Sequence, residues 1–157
     1  MDWSWAAVFG TIAAAVIAWA AGEVLRSRAA WTAGAALALL HSVAAFGTSY
    51  AWSHAIAREL TRRQTLAQTG IDFDGGIYFN YAFLAVWAWD AATWWIAPGW
   101  YERQPPALSL AVRGFIFFMI VNGAVIFADG FARVMGMMCV TAVARAWAAR
   151  AWRSSTR

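Results

Sequence analysis

The chain contains no lysine: its twelve basic residues are all arginine, set against eight acidic residues, two histidines, one cysteine and three prolines. One cysteine, Cys139, excludes an internal disulfide and leaves the redox compartment unread. Two histidines, His41 and His54, are too few for a self-contained zinc site of the His/Cys kind, so no metal is expected. The sequence pI near 10.0 comes from arginines at the ends of apolar blocks. No basic run interleaved with aromatics suggests nucleic-acid binding. Only 13% of residues are charged, too few to solvate the surface of a chain this apolar.

What is present in excess is hydrophobic surface: 62% of the 157 residues are apolar, including twelve tryptophans, against the roughly half expected of a soluble domain. The composition is that of a membrane protein, and the length is that of a single domain, residues 1–157. The apolar residues fall into four blocks, at about 3–22, 29–57, 77–97 and 107–128. Each is close to or longer than the ~20 residues that cross a ~30 Å hydrocarbon core as helix. The opening "MDWSWAAVFG" has an acidic residue where a signal peptide has a basic one, so it reads as a retained first helix. "TRRQTLAQTGIDFDGG" at 61–76 is the one sizeable polar segment. Its "DFDG" lacks the downstream carboxylate of a calcium loop and is expected to be a turn. Residues 134–152, with Arg145 and Arg150 beside Trp147 and Trp152, have the mix of a helix lying at the headgroups. The fold expected is therefore an all-α bundle of four transmembrane helices with a C-terminal amphipathic, interfacial helix, 134–152 being alternatively a fifth, partial span.

In that arrangement the side holding the N-terminus, the 58–76 loop and the C-terminus carries Arg58, Arg62, Arg63, Arg133, Arg145, Arg150, Arg153 and Arg157. The opposite side has Arg26, Arg28 and Arg103. The positive-inside rule then places both termini in the cytoplasm of a bacterial-type inner membrane. Trp31 and Trp52, twenty-one residues apart on one predicted helix, are spaced like two interfacial belts ~31 Å apart. Trp19, Trp94, Trp95 and Trp100 would join Trp31, and Trp3 and Trp5 would join Trp52.

A few polar residues inside the apolar blocks are the candidates for chemistry. Asp90, in "VWAWDAATWW", lies seven residues before the end of the third block, and Arg113 seven residues after Pro106 at the start of the fourth. Antiparallel neighbours joined by "PGWYERQPP" would bring both to ~10 Å below one interface, where they are expected to pair. His41, ten residues past Trp31, is expected near the midplane, within about one helical turn of that level. The three form the predicted binding or proton-relay cluster. Asn80, Tyr81, Asn122 and His54 make a secondary polar layer, for which interhelical hydrogen bonding is the default role.

Cofactor signals are weak. The thirteen-residue spacing of His41 and His54 resembles the paired haem ligands of dihaem b-type cytochromes, but the chain has no histidines to ligate from the other side. "MGMMC" at 135–139 is soft enough for Cu(I) yet equally ordinary as apolar filler. Ala6, Gly10, Ala14, Ala18 and Gly22 put a small residue at every fourth position of the first block, a seam for close packing in the bundle or against a second copy. The expected function is that of a small inner-membrane protein without a catalytic motif, an accessory subunit or a homo-oligomeric transport or binding unit that binds no nucleic acid. The alternative is a membrane redox or lipid-modifying enzyme holding haem, quinone or metal.

Overall fold

A computed structural model describes residues 3–156, with side chains from Ala7 onward. Its helices are α1 (Trp3–Leu25), α2 (Arg28–Thr48), α3 (His54–Thr69), α4 (Gly76–Ile96), α5 (Pro98–Arg103), α6 (Pro106–Val121) and α7 (Gly130–Ser155), with a π-helical turn over Asn122–Ile126. No strand occurs among the described residues. Four stretches are long and apolar enough to cross a membrane: Ala7–Leu25, Arg28–Thr48, Pro106–Ile126 and Gly130–Ser155. The expectation for residues 3–6, which takes in Trp3, Trp5 and Ala6, lies outside the side chains described.

Cross-helix contacts fix the packing. Gly22 faces Trp31 and Gly34 faces Trp19, while His41 meets Val8, so α1 and α2 are antiparallel over their whole length. Trp31 meets Asp90 and Gly34 meets Trp87, which sets α4 antiparallel to α2. Trp19 packs on Phe117 and Phe117 on Trp147, and Gly136 sits against Ala124. The path of α6 is thus antiparallel to both α1 and α7. Five helices alternate in direction around a core of Ala15, Val16, Trp19, Trp31, Ala35, Trp87, Val112, Ile116, Ile120 and Val143. Although α4 falls outside the four most apolar stretches, its 21 residues lie beside α2 and α6 and therefore share their depth.

Local chemistry explains the breaks. The first helix runs three residues past Gly22 to Leu25, then turns through Arg26 at φ 55°, and Ser27 caps α2 by accepting from the Ala30 N–H. Close approach here needs Gly22, since a β-carbon would lie 2.9 Å from the Trp31 backbone nitrogen. The second block is not one helix to residue 57. It stops at Thr48, the chain takes left-handed φ at Ala51 and Trp52, and Ser53 caps a new helix, accepting from the Ile56 N–H. Much of the 61–76 segment is α3, packed on α4 through His54 against Tyr81 and Thr61 against Gly76 and ended by Gly70 at φ 74°. Pro98 and Pro106 each start a helix, where a missing N–H costs nothing.

The C-terminal segment differs most from expectation. Instead of lying across the bundle end, α7 runs along α6 and α1, from Gly136 against Ala124 to Trp147 and Arg150 against Glu23. The described ends of the chain, at Trp3 and Thr156, consequently lie at opposite ends of the bundle. The small residues Gly136 and Ala124 permit this approach, and Val143 closes it with no exposed surface.

Candidate functional site

Two carboxylates are the buried charged groups of the core, Glu23 at 0% exposure and Asp90 at 2%. Both lie at the bundle end that holds the α1–α2 turn and α5. An ionised carboxylate away from water needs donors on its lone pairs, and this end of the bundle supplies them from four helices, α2, α5, α6 and α7. The Trp31 indole donates to Asp90 Oδ2 at 2.8 Å and the Tyr101 hydroxyl to the same oxygen at 3.0 Å. The guanidinium of Arg113 gives Nη1 to both oxygens of Glu23, at 2.9 and 3.0 Å, and Nη2 to the Tyr101 oxygen at 3.4 Å. From α7, the Trp147 indole donates to Glu23 Oε2 at 2.9 Å and Arg150 donates to the Glu23 carbonyl at 3.1 Å. Arg113 also stands over the Trp31 ring, 5.4 Å from its centroid.

The expected pairing of Asp90 with Arg113 is therefore indirect. Arg113 pairs with Glu23, and Tyr101 bridges the two halves, accepting from the arginine while donating to Asp90. Stacking on Trp94 at 4.8 Å holds the Tyr101 ring. Burial, then the neighbouring Asp90 charge, pushes the Tyr101 phenol up to about 12, so it stays a donor at ordinary pH. The same end is tied outside the network by Arg28, which donates to the Trp94 carbonyl at 3.0 Å and lies 4.0 Å over Trp95.

Glu23 was missed because the first block, by hydropathy, ends at Gly22. The available signal was Arg113: an intramembrane guanidinium requires an anion, and Glu23 lies within one turn of α1's end.

His41 does not join this site. Trp31, which touches Asp90, and His41 are ten residues apart on α2, or about 15 Å of helix. The imidazole Nδ1 instead meets the Val8 carbonyl at 2.9 Å. Depth counting failed because Trp31 is not an interfacial residue. It is 1% exposed, and Trp19 is fully buried, so these two are core residues that mark no belt, whereas Trp95 and Trp100 are exposed.

The secondary polar layer also divides. His54 Nδ1 meets the Tyr81 hydroxyl at 2.9 Å and its Nε2 the Tyr78 hydroxyl at 3.5 Å. Asn122 donates within its own helix, to Phe118 O at 2.8 Å, and Asn80 is exposed. His41 and His54 stand on different helices, α2 and α3, so a haem argument from their spacing on one helix does not apply. No group of three His, Cys, Asp or Glu side chains suited to a metal occurs among the described residues.

No protein-family model matches the chain, and neither a curated protein nor a solved structure is significantly similar to it.

Proposed function

We propose that the chain is a small multi-pass membrane protein that works as a subunit, in a homo-oligomer or beside a membrane partner, in binding or transport and not as an enzyme. The observation that carries this is Arg145. It is exposed on α7, about 7.5 Å of helix inside Arg150, with no hydrogen-bond or ion-pair partner among the described residues. It lies in an open groove of about 620 Å³ with Val134, Met137, Met138, Thr141 and Ala142. A charged side chain at that depth usually faces protein or water and not lipid. A neighbouring helix that supplies an acceptor would meet that need. The buried carboxylate network serves such a subunit as a lock, because its oxygens are held by donors from the chain's own helices.

Orientation changes with α7 as a span. Arg58, Arg62, Arg63 and Arg133 lie at the bundle end of the α3 helix, while Arg26, Arg28, Arg103, Arg145, Arg150 and Arg153 belong to the other end. The positive-inside rule then favours a cytoplasmic C-terminal end, with the α3 end on the far side of a bacterial-type inner membrane. This replaces the arrangement with both termini in the cytoplasm.

The test is purification in mild detergent and in lipid nanodiscs, with native mass spectrometry and disulfide trapping of Met138→Cys in a Cys139→Ser background. The expected result is an oligomer or a stable complex that traps through position 138 and weakens in Arg145→Leu. A lone monomer in both media would overturn the proposal.

A further inference from the structure

The charged end of the bundle holds more positive charge than its carboxylates neutralise. Arg113 and Arg150 both contact Glu23, and Arg26 and Arg153 lie close enough to Arg150 to repel it, with Asp90 beyond Tyr101. Arg113 and Arg150 each turn one side to Glu23 and leave 26% and 33% of the side chain exposed. Like charges crowded at a low-dielectric boundary repel strongly. Such a cluster persists where an anion relieves the repulsion.

Beside it, between the start of α6 and α7, is a cleft of about 270 Å³ lined by Pro106, Ser109, Leu110, Arg113 and Trp147. Its walls are of two kinds. Pro106, Leu110 and the Trp147 ring are apolar, and Leu110 is 68% exposed to the surroundings of the bundle. Arg113 and the Ser109 hydroxyl are polar, and that hydroxyl makes no hydrogen bond among the described residues. The cleft lies one to two turns from the start of α6, at the level where a bundle of this length meets the headgroups.

We infer that this cleft is a binding site for an anionic phospholipid, whose phosphate is held by Arg113 and the Ser109 hydroxyl, with Arg150 adding attraction from beside Glu23, and whose acyl chains lie along Leu110. Guanidinium and phosphate match as a bidentate, charge-assisted pair. The apolar walls continue onto the lipid-facing side of α6, which suits an amphiphile and not a free ion. Basic pockets between transmembrane helices bind acidic headgroups by the same physics. Arg26 and Arg153 add attraction without needing direct contact.

The experiment uses full-length protein delipidated in neutral detergent, with the melting temperature followed on adding phosphatidylglycerol, phosphatidylcholine or inorganic phosphate. Phosphatidylglycerol should raise the melting temperature and bind about tenfold more tightly than phosphatidylcholine, with inorganic phosphate having no effect. Ser109→Phe fills the cleft without touching any bond of the carboxylate network, and should abolish the selectivity while leaving the lipid-free melting temperature near that of the parent. Arg153→Gln removes a guanidinium whose hydrogen bond is to its own helix, Ala149 O, and should weaken phosphatidylglycerol binding alone. Equal response to both lipids, a response to phosphate that matches phosphatidylglycerol, or selectivity that survives Ser109→Phe would each overturn the assignment.

Discussion

The two ends of this bundle handle charge in opposite ways. At the α5 end, Glu23 and Asp90 are withdrawn from solvent and wrapped by Trp31, Tyr101, Arg113, Trp147 and Arg150. At the α3 end, the charges stay in the open: Arg58 pairs with Asp74, Arg62 with Glu59 and Asp72, and Arg63 with Glu59, with side chains a third to two-thirds exposed. Both ends are dense in ion pairs, but only one is desolvated. Exposed pairs are screened and contribute little. A buried pair is costly to assemble, and the loss of one partner strands a charge. The α5 end is therefore where a single substitution should threaten the fold.

The largest effect is expected from Glu23→Ala or Arg113→Ala. Each leaves an uncompensated buried charge, for a loss of roughly 3–5 kcal/mol, and the double variant should recover most of it. Thermal unfolding in detergent measures this. Arg58→Ala and Arg63→Ala, at the other end, should leave the melting temperature almost unchanged. If all four single variants behave alike, the contrast between the ends fails.

A second expected effect concerns the helix that completes the buried end. Gly136 faces the Ala124 backbone, where a β-carbon would lie 2.8 Å from the carbonyl carbon, a contact that backbone cannot yield. Gly136→Leu should lift α7 from α6 and withdraw Trp147 and Arg150 from Glu23. The cost is of order 1–3 kcal/mol for overpacking, outweighing the ~1 kcal/mol gained in helix propensity. Quenching or a spectral shift of Trp147 fluorescence, in a background with other tryptophans replaced where tolerated, reports the displacement.

How much of this was legible in the sequence follows from the same contrast. Long apolar blocks gave the helices and their number to within α7, because backbone satisfaction in lipid leaves few alternatives. Asp90 and Arg113 were found because a charge inside an apolar run is conspicuous. Glu23 sits at a block's edge, where an acidic residue looks like the beginning of a loop. The break at residues 49–53 was hidden, since Ala51 and Trp52 are poor residues for left-handed φ and no glycine marks the turn. The spanning path of α7 was obscured by its arginines. Arg150 is explained by Glu23, 127 residues away, a long-range pairing that local composition does not encode.

His41 tests the middle of the molecule, between the two ends. Its Nδ1 contact to the Val8 carbonyl joins α2 to α1 well away from Asp90. His41→Ala should lower stability by about 0.6 kcal/mol, the average for an interhelical hydrogen bond in a membrane, and should leave the Glu23–Arg113 coupling unchanged in a double-variant cycle. Coupling of His41 to Asp90 above ~0.5 kcal/mol would restore the relay cluster that the geometry dissolves.

The smallest effect belongs to the exposed end and is set by pH. Hydrogen bonds from Arg62 and Arg63 hold the Glu59 carboxyl down at about 2, below its ordinary value of 4.5. A carboxylate whose folded value is depressed stabilises the fold above the unfolded value and loses that contribution as pH falls through the folded one. The α3 helix should accordingly lose stability between pH about 4.5 and about 2, and stay level from pH 5 to 8. Because Glu59 is open to solvent, screening should shrink the effect further in high salt. Hydrogen exchange of α3 amides against pH, in parent and Glu59→Gln, measures it: the parent profile should fall in that window while the variant stays flat and uniformly less protected. A matching fall in the variant would show that the acid sensitivity of this end does not come from Glu59 and would break the assignment.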